Sequence, residues 1–168
     1  MALPTAIDQV DGPRPVTCNP PSGSIFPGGT TIVTCTSSDT RGNTSSVTFP
    51  VHAPYEWSGF LPPINADGSS IFKLGSTVPV KFQLTGASAG ITNAVATLSV
   101  AKISATVVGT AMEAVSTSAA TTGNAFRYDP SSGQYIFNLS TKPLSTGTWQ
   151  LSVDLHDGLS HTVTISLR

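Results

Sequence analysis

The feature that most constrains this chain is a two-residue period of apolar side chains, in short runs cut by glycine and proline. From Thr77 to Thr85, Val78, Val80, Phe82 and Leu84 fall on one side and Lys81 and Gln83 on the other. Gln134 to Leu139 places Tyr135, Phe137 and Leu139 together, after the turn Asp129-Pro130-Ser131-Ser132-Gly133. Thr148 to Leu155 repeats the pattern with Trp149, Leu151, Val153 and Leu155, and His161 to Leu167 with Val163, Ile165 and Leu167. A period of two belongs to strands that bury one face. With 15 glycines and 13 prolines as punctuation, no long helix is expected. Short strands at Ser70 to Leu74, Ala94 to Ile103 and Ala125 to Tyr128 bring residues 69–168 to about seven strands, the count of an immunoglobulin-like sandwich. Residues 104 to 124 are rich in Ala, Ser and Thr and read as a long mobile hairpin or a weak edge strand.

The N-terminal part is written in the same way but is shorter. Strands are expected at Pro15 to Cys18, Ser24 to Phe26, Thr30 to Ser37 and Ser45 to Val51, with turns at Asn19 to Gly23 and Asp39 to Asn43. Thr31, Val33 and Cys35 share one face, as do Val47, Phe49 and Val51. Cys18 and Cys35 each end a Val-Thr-Cys triplet, and the Pro/Gly-rich stretch between them can fold back. A disulfide is the preferred reading over two buried thiols. Such a bridge contributes about 3 kcal/mol in the chain-entropy model, a stabilisation that so short a segment needs. It also implies an oxidising compartment.

Composition excludes several functions. Only 10% of the 168 residues are charged and the formal net charge is −1, against a typical charged fraction of about 25%. The basic residues are scattered, without the patch that a phosphate backbone requires. No apolar run is long enough to span a membrane. Met1-Ala2-Leu3-Pro4 lacks the features of a signal peptide and reads as an artificial start or as an excised piece of a longer chain.

Two resemblances organise the chain. Asp8-Gln9-Val10-Asp11-Gly12, Pro15-Val16-Thr17-Cys18, Pro20-Pro21-Ser22-Gly23-Ser24, Phe26-Pro27, Gly29-Thr30-Thr31, Val33-Thr34-Cys35, Asp39 and Gly42-Asn43 together resemble the hyalin-repeat (HYR) module. That resemblance implies an immunoglobulin-like repeat of extracellular proteins associated with adhesion. In that family further strands precede the Asp-x-Val-Asp-Gly segment, so the expected first module is truncated. The second half is similar to a bacterial module named for its Pro-x-Lys-Phe signature, here Pro79-Val80-Lys81-Phe82. Leu74-Gly75-Ser76-Thr77-Val78, Tyr128, Ser132-Gly133-Gln134-Tyr135, Gly147-Thr148-Trp149 and Asp157-Gly158 support it. The resemblance implies a secreted or cell-surface bacterial protein. The expected architecture is therefore all-β, with two tandem immunoglobulin-like β-sandwich modules. The first is a partial module over residues 1–53, followed by an aromatic and Pro-rich junction over 54–68 and a sandwich over 69–168.

Sites for chemistry are few. No nucleophile-elbow, zinc-protease or phosphate-loop pattern occurs. Most aspartates stand in turn contexts such as Asp67-Gly68, Asp129-Pro130 and Asp157-Gly158. His156 and His161 flank one turn and read as solvated hairpin residues. No cofactor is expected. If one is used it is calcium, for which Asp8, Asp11, Asp39 and Asn43 offer hard oxygen ligands on loops. Asn43-Thr44-Ser45 and Asn138-Leu139-Ser140 match the glycosylation pattern and read as chance. In the junction, Tyr55, Trp57 and Phe60 read first as an inter-module core and second as an exposed platform for sugar rings. The chain is expected to be no enzyme but a structural or adhesive module, extracellular, contacting other protein modules or copies of itself. A carbohydrate-binding accessory module and a strand-donating filament subunit are the alternatives.

Overall fold

The computed structural model describes residues 4–168. Among the described residues the chain is all-β, with a single 3-10 turn at Gly86–Ser88 interrupting the strands. Five strands precede the junction: β1 Ala6–Asp8, β2 Gly12–Arg14, β3 Thr17–Asn19, β4 Gly29–Ser38 and β5 Thr44–Ala53. Nine follow it: β6 Ile71–Phe72, β7 Thr77–Phe82, β8 Thr97–Ser104, β9 Val107–Val108, β10 Met112–Glu113, β11 Arg127–Asp129, β12 Gln134–Ser140, β13 Gly147–Asp154 and β14 His161–Leu167.

The C-terminal strands form two sheets. One has the order β10-β8-β13-β14-β6, with β9 also on β8, and the other has the order β11-β12-β7. All pairings are antiparallel except β14 with β6. The alternation seen in the sequence decides which side chains meet. Val78, Val80 and Phe82 from β7, Phe137 and Leu139 from β12, and Leu151 and Ile165 from the larger sheet are each at most 1% exposed. They belong to one core, the inner layer of a sandwich. Polar groups at its margin are tied down: the Trp149 indole donates to Ser145 O at 2.8 Å. The phenol of buried Tyr135 donates to Ile91 O and accepts from the Ala94 N–H, both at 3.0 Å, which fixes the loop before β8.

Two expectations change here. The weak segment 104 to 124 supplies two short edge pieces, β9 and β10, so nine strands replace about seven. The junction expected over 54–68 is not a separate piece either. It runs beside the end of β7, with a bridge between Trp57 and Leu84 and bonds from Ser58 N to Gln83 O and Leu61 N to Lys81 O. Phe60 and Ile64 enter the C-terminal core.

The N-terminal strands form a three-stranded sheet, β3-β4-β5, and the separate ribbon β1-β2. Its fully buried core is small: Cys18, Val33 and Cys35, with Val16, Phe26, Phe49 and Val51 packed partly against them. Cys18 stands directly opposite Cys35, and the two form a disulfide. The expected strand at Ser24 to Phe26 does not form; that stretch is loop, and Phe26 packs from it onto the core. Val47, expected to point inward, is 52% exposed, because the layer over that face is incomplete and leaves it lining a cleft with Ala6 and Ile7.

Candidate functional site: an open sheet and an aromatic junction

The β4–β5 hairpin carries the surface. Its turn is built by Asp39, whose carboxylate accepts from the N–H groups of Arg41 and Asn43 and from the Asn43 side-chain amide. The Asp39 N–H donates to Asn43 O at 3.0 Å, closing the ladder. From there Ser37 pairs with Ser45, Cys35 with Val47, Val33 with Phe49 and Thr31 with Val51. These residues share one face. Two clefts open on that face, on either side of the disulfide. One, of about 200 Å³, lies among Pro20, Pro21, Phe26, Val33 and Phe49. The other, of about 330 Å³, lies among Ala6, Ile7, Val16, Cys35 and Val47. A sheet with one apolar face normally buries it under another layer. Here the layer is partial, and Ile7 at 79% and Val47 at 52% remain exposed.

The residues expected to hold calcium are engaged otherwise. Asp8 accepts from the N–H groups of Val10 and Asp11, both at 2.8 Å, holding the β1–β2 turn. Asp11 reaches across to Thr40, accepting from its N–H at 2.9 Å and its hydroxyl at 2.8 Å. Those bonds hold the Asp11 carboxyl below its ordinary value, and the Asn43 amide does the same for Asp39. Thus Asp11 ties the ribbon to the hairpin turn, Asp39 and Asn43 shape that turn, and Asp8 shapes the ribbon. Among the described residues no group of three or more His, Cys, Asp or Glu side chains gathers as a metal site would.

The aromatic junction is mostly packed, with Tyr55 and Trp57 half-buried and Tyr55 also lining an open cleft of about 600 Å³ with Pro27, Ile91, Val95 and Leu155. Phe60 is 9% exposed. Trp57 packs edge-on against Phe60, Phe82 and His161, with ring centroids 5.4, 5.8 and 4.4 Å apart. Tyr55 lies over Gly28 and Gly29, where any side chain would collide with its ring. Gly29 also has a φ of +100°, a conformation that favours glycine. Trp57 and Phe60 stand edge to face rather than in one plane, and each of the three rings makes packing contacts between or within the units.

Sequence reasoning missed the polar lock beneath them. Asp157, read as a turn former, is 3% exposed, and His161, read as solvated, is 7% exposed. Asp157 accepts from the N–H groups of Leu159 and Tyr55 and lies 3.2 Å from His161 Nε2. Burial works against the ionised Asp157, but the bonds from Leu159, Tyr55 and His161 outweigh it and hold the carboxyl below its usual range. A second link joins the units: the Thr30 hydroxyl donates to His156 O and lies 2.9 Å from His52 Nδ1. Having donated its one proton, that oxygen accepts from His52, which fixes the proton on Nδ1. His156 itself is solvent-exposed beside Asp154, as expected. The only sequence signal for the lock was the four-residue spacing of Asp157 and His161 around a turn.

Comparison with known families assigns the first of these two regions. Residues 2–53 match the HYR domain. The match ends at the last residue of β5 and so covers the open sheet, its ribbon and its disulfide. No curated protein matches the chain. The HYR domain is an extracellular, adhesion-type, non-enzymatic module, and the all-β fold fits a non-catalytic structural role. No helix among the described residues is long and apolar enough to cross a membrane.

Proposed function

We propose that this chain is a non-catalytic structural and adhesive module of a secreted or surface-anchored bacterial protein, and that it works by protein contacts through its HYR unit. The observation that carries this reading is the incompletely covered face of β4–β5, exposed within the part of the chain that matches an adhesion-type module. The C-terminal sandwich serves as a spacer, packed against the HYR unit through Tyr55, Asp157 and Thr30. The Pro79-Val80-Lys81-Phe82 signature supports a bacterial surface module there.

Bead adhesion tests the reading. Beads carrying the whole chain are expected to bind a surface coated with secreted and surface material of the source organism. Binding should fall when that surface is treated with protease and persist when it is treated with glycosidases. The opposite pattern would return the carbohydrate-binding reading, and robust turnover of any hydrolase substrate would overturn the non-catalytic one.

A further inference from the structure

The phase of the β4–β5 ladder shows which backbone groups of β5 face outward. Asp39 and Asn43 form a hydrogen-bonded pair. Such pairs alternate along an antiparallel ladder, so Ser45, Val47, Phe49 and Val51 face β4 with their backbone groups. Thr44, Ser46, Thr48 and Pro50 face the other way, toward an edge with no partner strand among the described residues. Pro50 has no N–H to offer there, a common protection of edge strands. It blunts the edge only from its own position onward and leaves Thr44–Thr48 free. That stretch carries no charge that would repel a neighbour.

The C-terminal sandwich has an edge of matching character. β9 and β10 lie successively along the outer side of β8 and together make its broken edge strand. Val107, Val108 and Met112 on it are 68, 49 and 50% exposed. No charged residue occurs between Lys102 and Glu113. Proteins usually guard such edges with lysine, proline or a covering element, and residues 107–112 have none of the first two. With a net charge of −1, copies of the chain have little long-range repulsion to keep them apart.

We propose that two copies of this chain associate head to tail, the β9–β10 edge of one adding as a strand to the Thr44–Thr48 edge of β5 on the next. This rests on the adhesive reading of the HYR unit and names its partner as a second copy. Thr44–Thr48 and residues 107–112 carry no charge, and each edge exposes aliphatic side chains beside unpaired backbone, which is what strand addition needs; Glu113 ends the second edge. They sit on different units, so the contact is heterologous and leaves a free edge at each end of the pair, allowing growth beyond a dimer.

Sedimentation velocity of the full chain over a wide concentration range tests it. The expected result is a concentration-dependent series of oligomers. Thr48→Pro removes an outward N–H without costing β4 a bond and should weaken association about tenfold, the effect of one ladder bond and its fit. Val108→Lys charges the other edge and should do the same. Each variant keeps one intact surface, so an equimolar mixture of the two should form capped dimers at concentrations where neither variant alone associates. Recovery of dimers in the mixture also shows that both variants are folded. A strict monomer at every concentration overturns the proposal and leaves the bead-adhesion result standing. Oligomers unaffected by either variant, or variants that do not pair when mixed, overturn it as well. Intact oligomers together with absent bead adhesion would instead overturn adhesion to other proteins.

Discussion

Removing the disulfide is the sharpest perturbation of the N-terminal unit, and its effect should be confined there. The bridge closes a loop with a sequence separation of 17, worth about 3 kcal/mol in the chain-entropy model. The unit it staples buries only Cys18, Val33 and Cys35 completely. The C-terminal core holds some twenty buried side chains and does not touch the bridge. A Cys18→Ala/Cys35→Ala double variant should therefore lose about 3 kcal/mol from β3–β4–β5 alone. Read by native-state hydrogen exchange, that is a fall of about two orders of magnitude in the protection of the β4 and β5 amides. The amides of β12, β13 and β14 should keep theirs. Equal loss of protection in both units would refute the reasoning, since it would mean that they unfold as one cooperative block. So would unchanged protection in β4, since it would mean that the small core suffices without the staple.

Further outcomes follow from the same structure. Phe137→Ala empties a fully buried site in the C-terminal core and should cost about 3–5 kcal/mol in urea unfolding. Gly28→Val places a side chain in the Tyr55 ring and should lower the melting temperature of the N-terminal unit, while Gly23→Ala, which meets open space, should cost less. The folded-state pKa of Asp157 is depressed, so its contribution is present above the unfolded carboxylate value of about 3.9 and is lost as pH falls through the lower folded value. Wild-type stability should accordingly decline below about pH 4. Asp157→Asn should be less stable near neutrality and show a shallower acid decline, measured as urea midpoints across pH.

Much of the fold was written in the two-residue period. The buried faces of β7, β12, β13 and β14 fall on the residues that the alternation selects, because each of those strands has one face on a core. The same rule overreached at Val47, which alternates like a core residue but lies where the covering layer is partial. Cysteine spacing between two like triplets led to the bridge, since both triplets are strands in register. What the sequence concealed was depth. Asp157-Gly158 looks like any solvated turn, yet this turn is pressed against the incoming Tyr55 backbone and Trp57 ring. The aromatic run from Tyr55 to Phe60 showed its chemistry but not its direction, and its direction makes it packing. Asp8, Asp11, Asp39 and Asn43 are loop residues, as their sequence contexts suggested, and each bonds to its own turn or to the one beside it.

The uncovered face of the HYR unit is proposed above as the adhesive surface. It is tested most directly by comparing bead adhesion of Val47→Lys with that of Ile71→Lys, two exposed aliphatic positions of equal accessibility on the two units. Both variants should retain the Cys18–Cys35 bridge by mass and the dispersion of a folded chain by NMR. Val47→Lys is expected to abolish most of the adhesion and Ile71→Lys to leave it intact. Adhesion that survives Val47→Lys and is lost in Ile71→Lys would place the surface on the other unit and contradict the account.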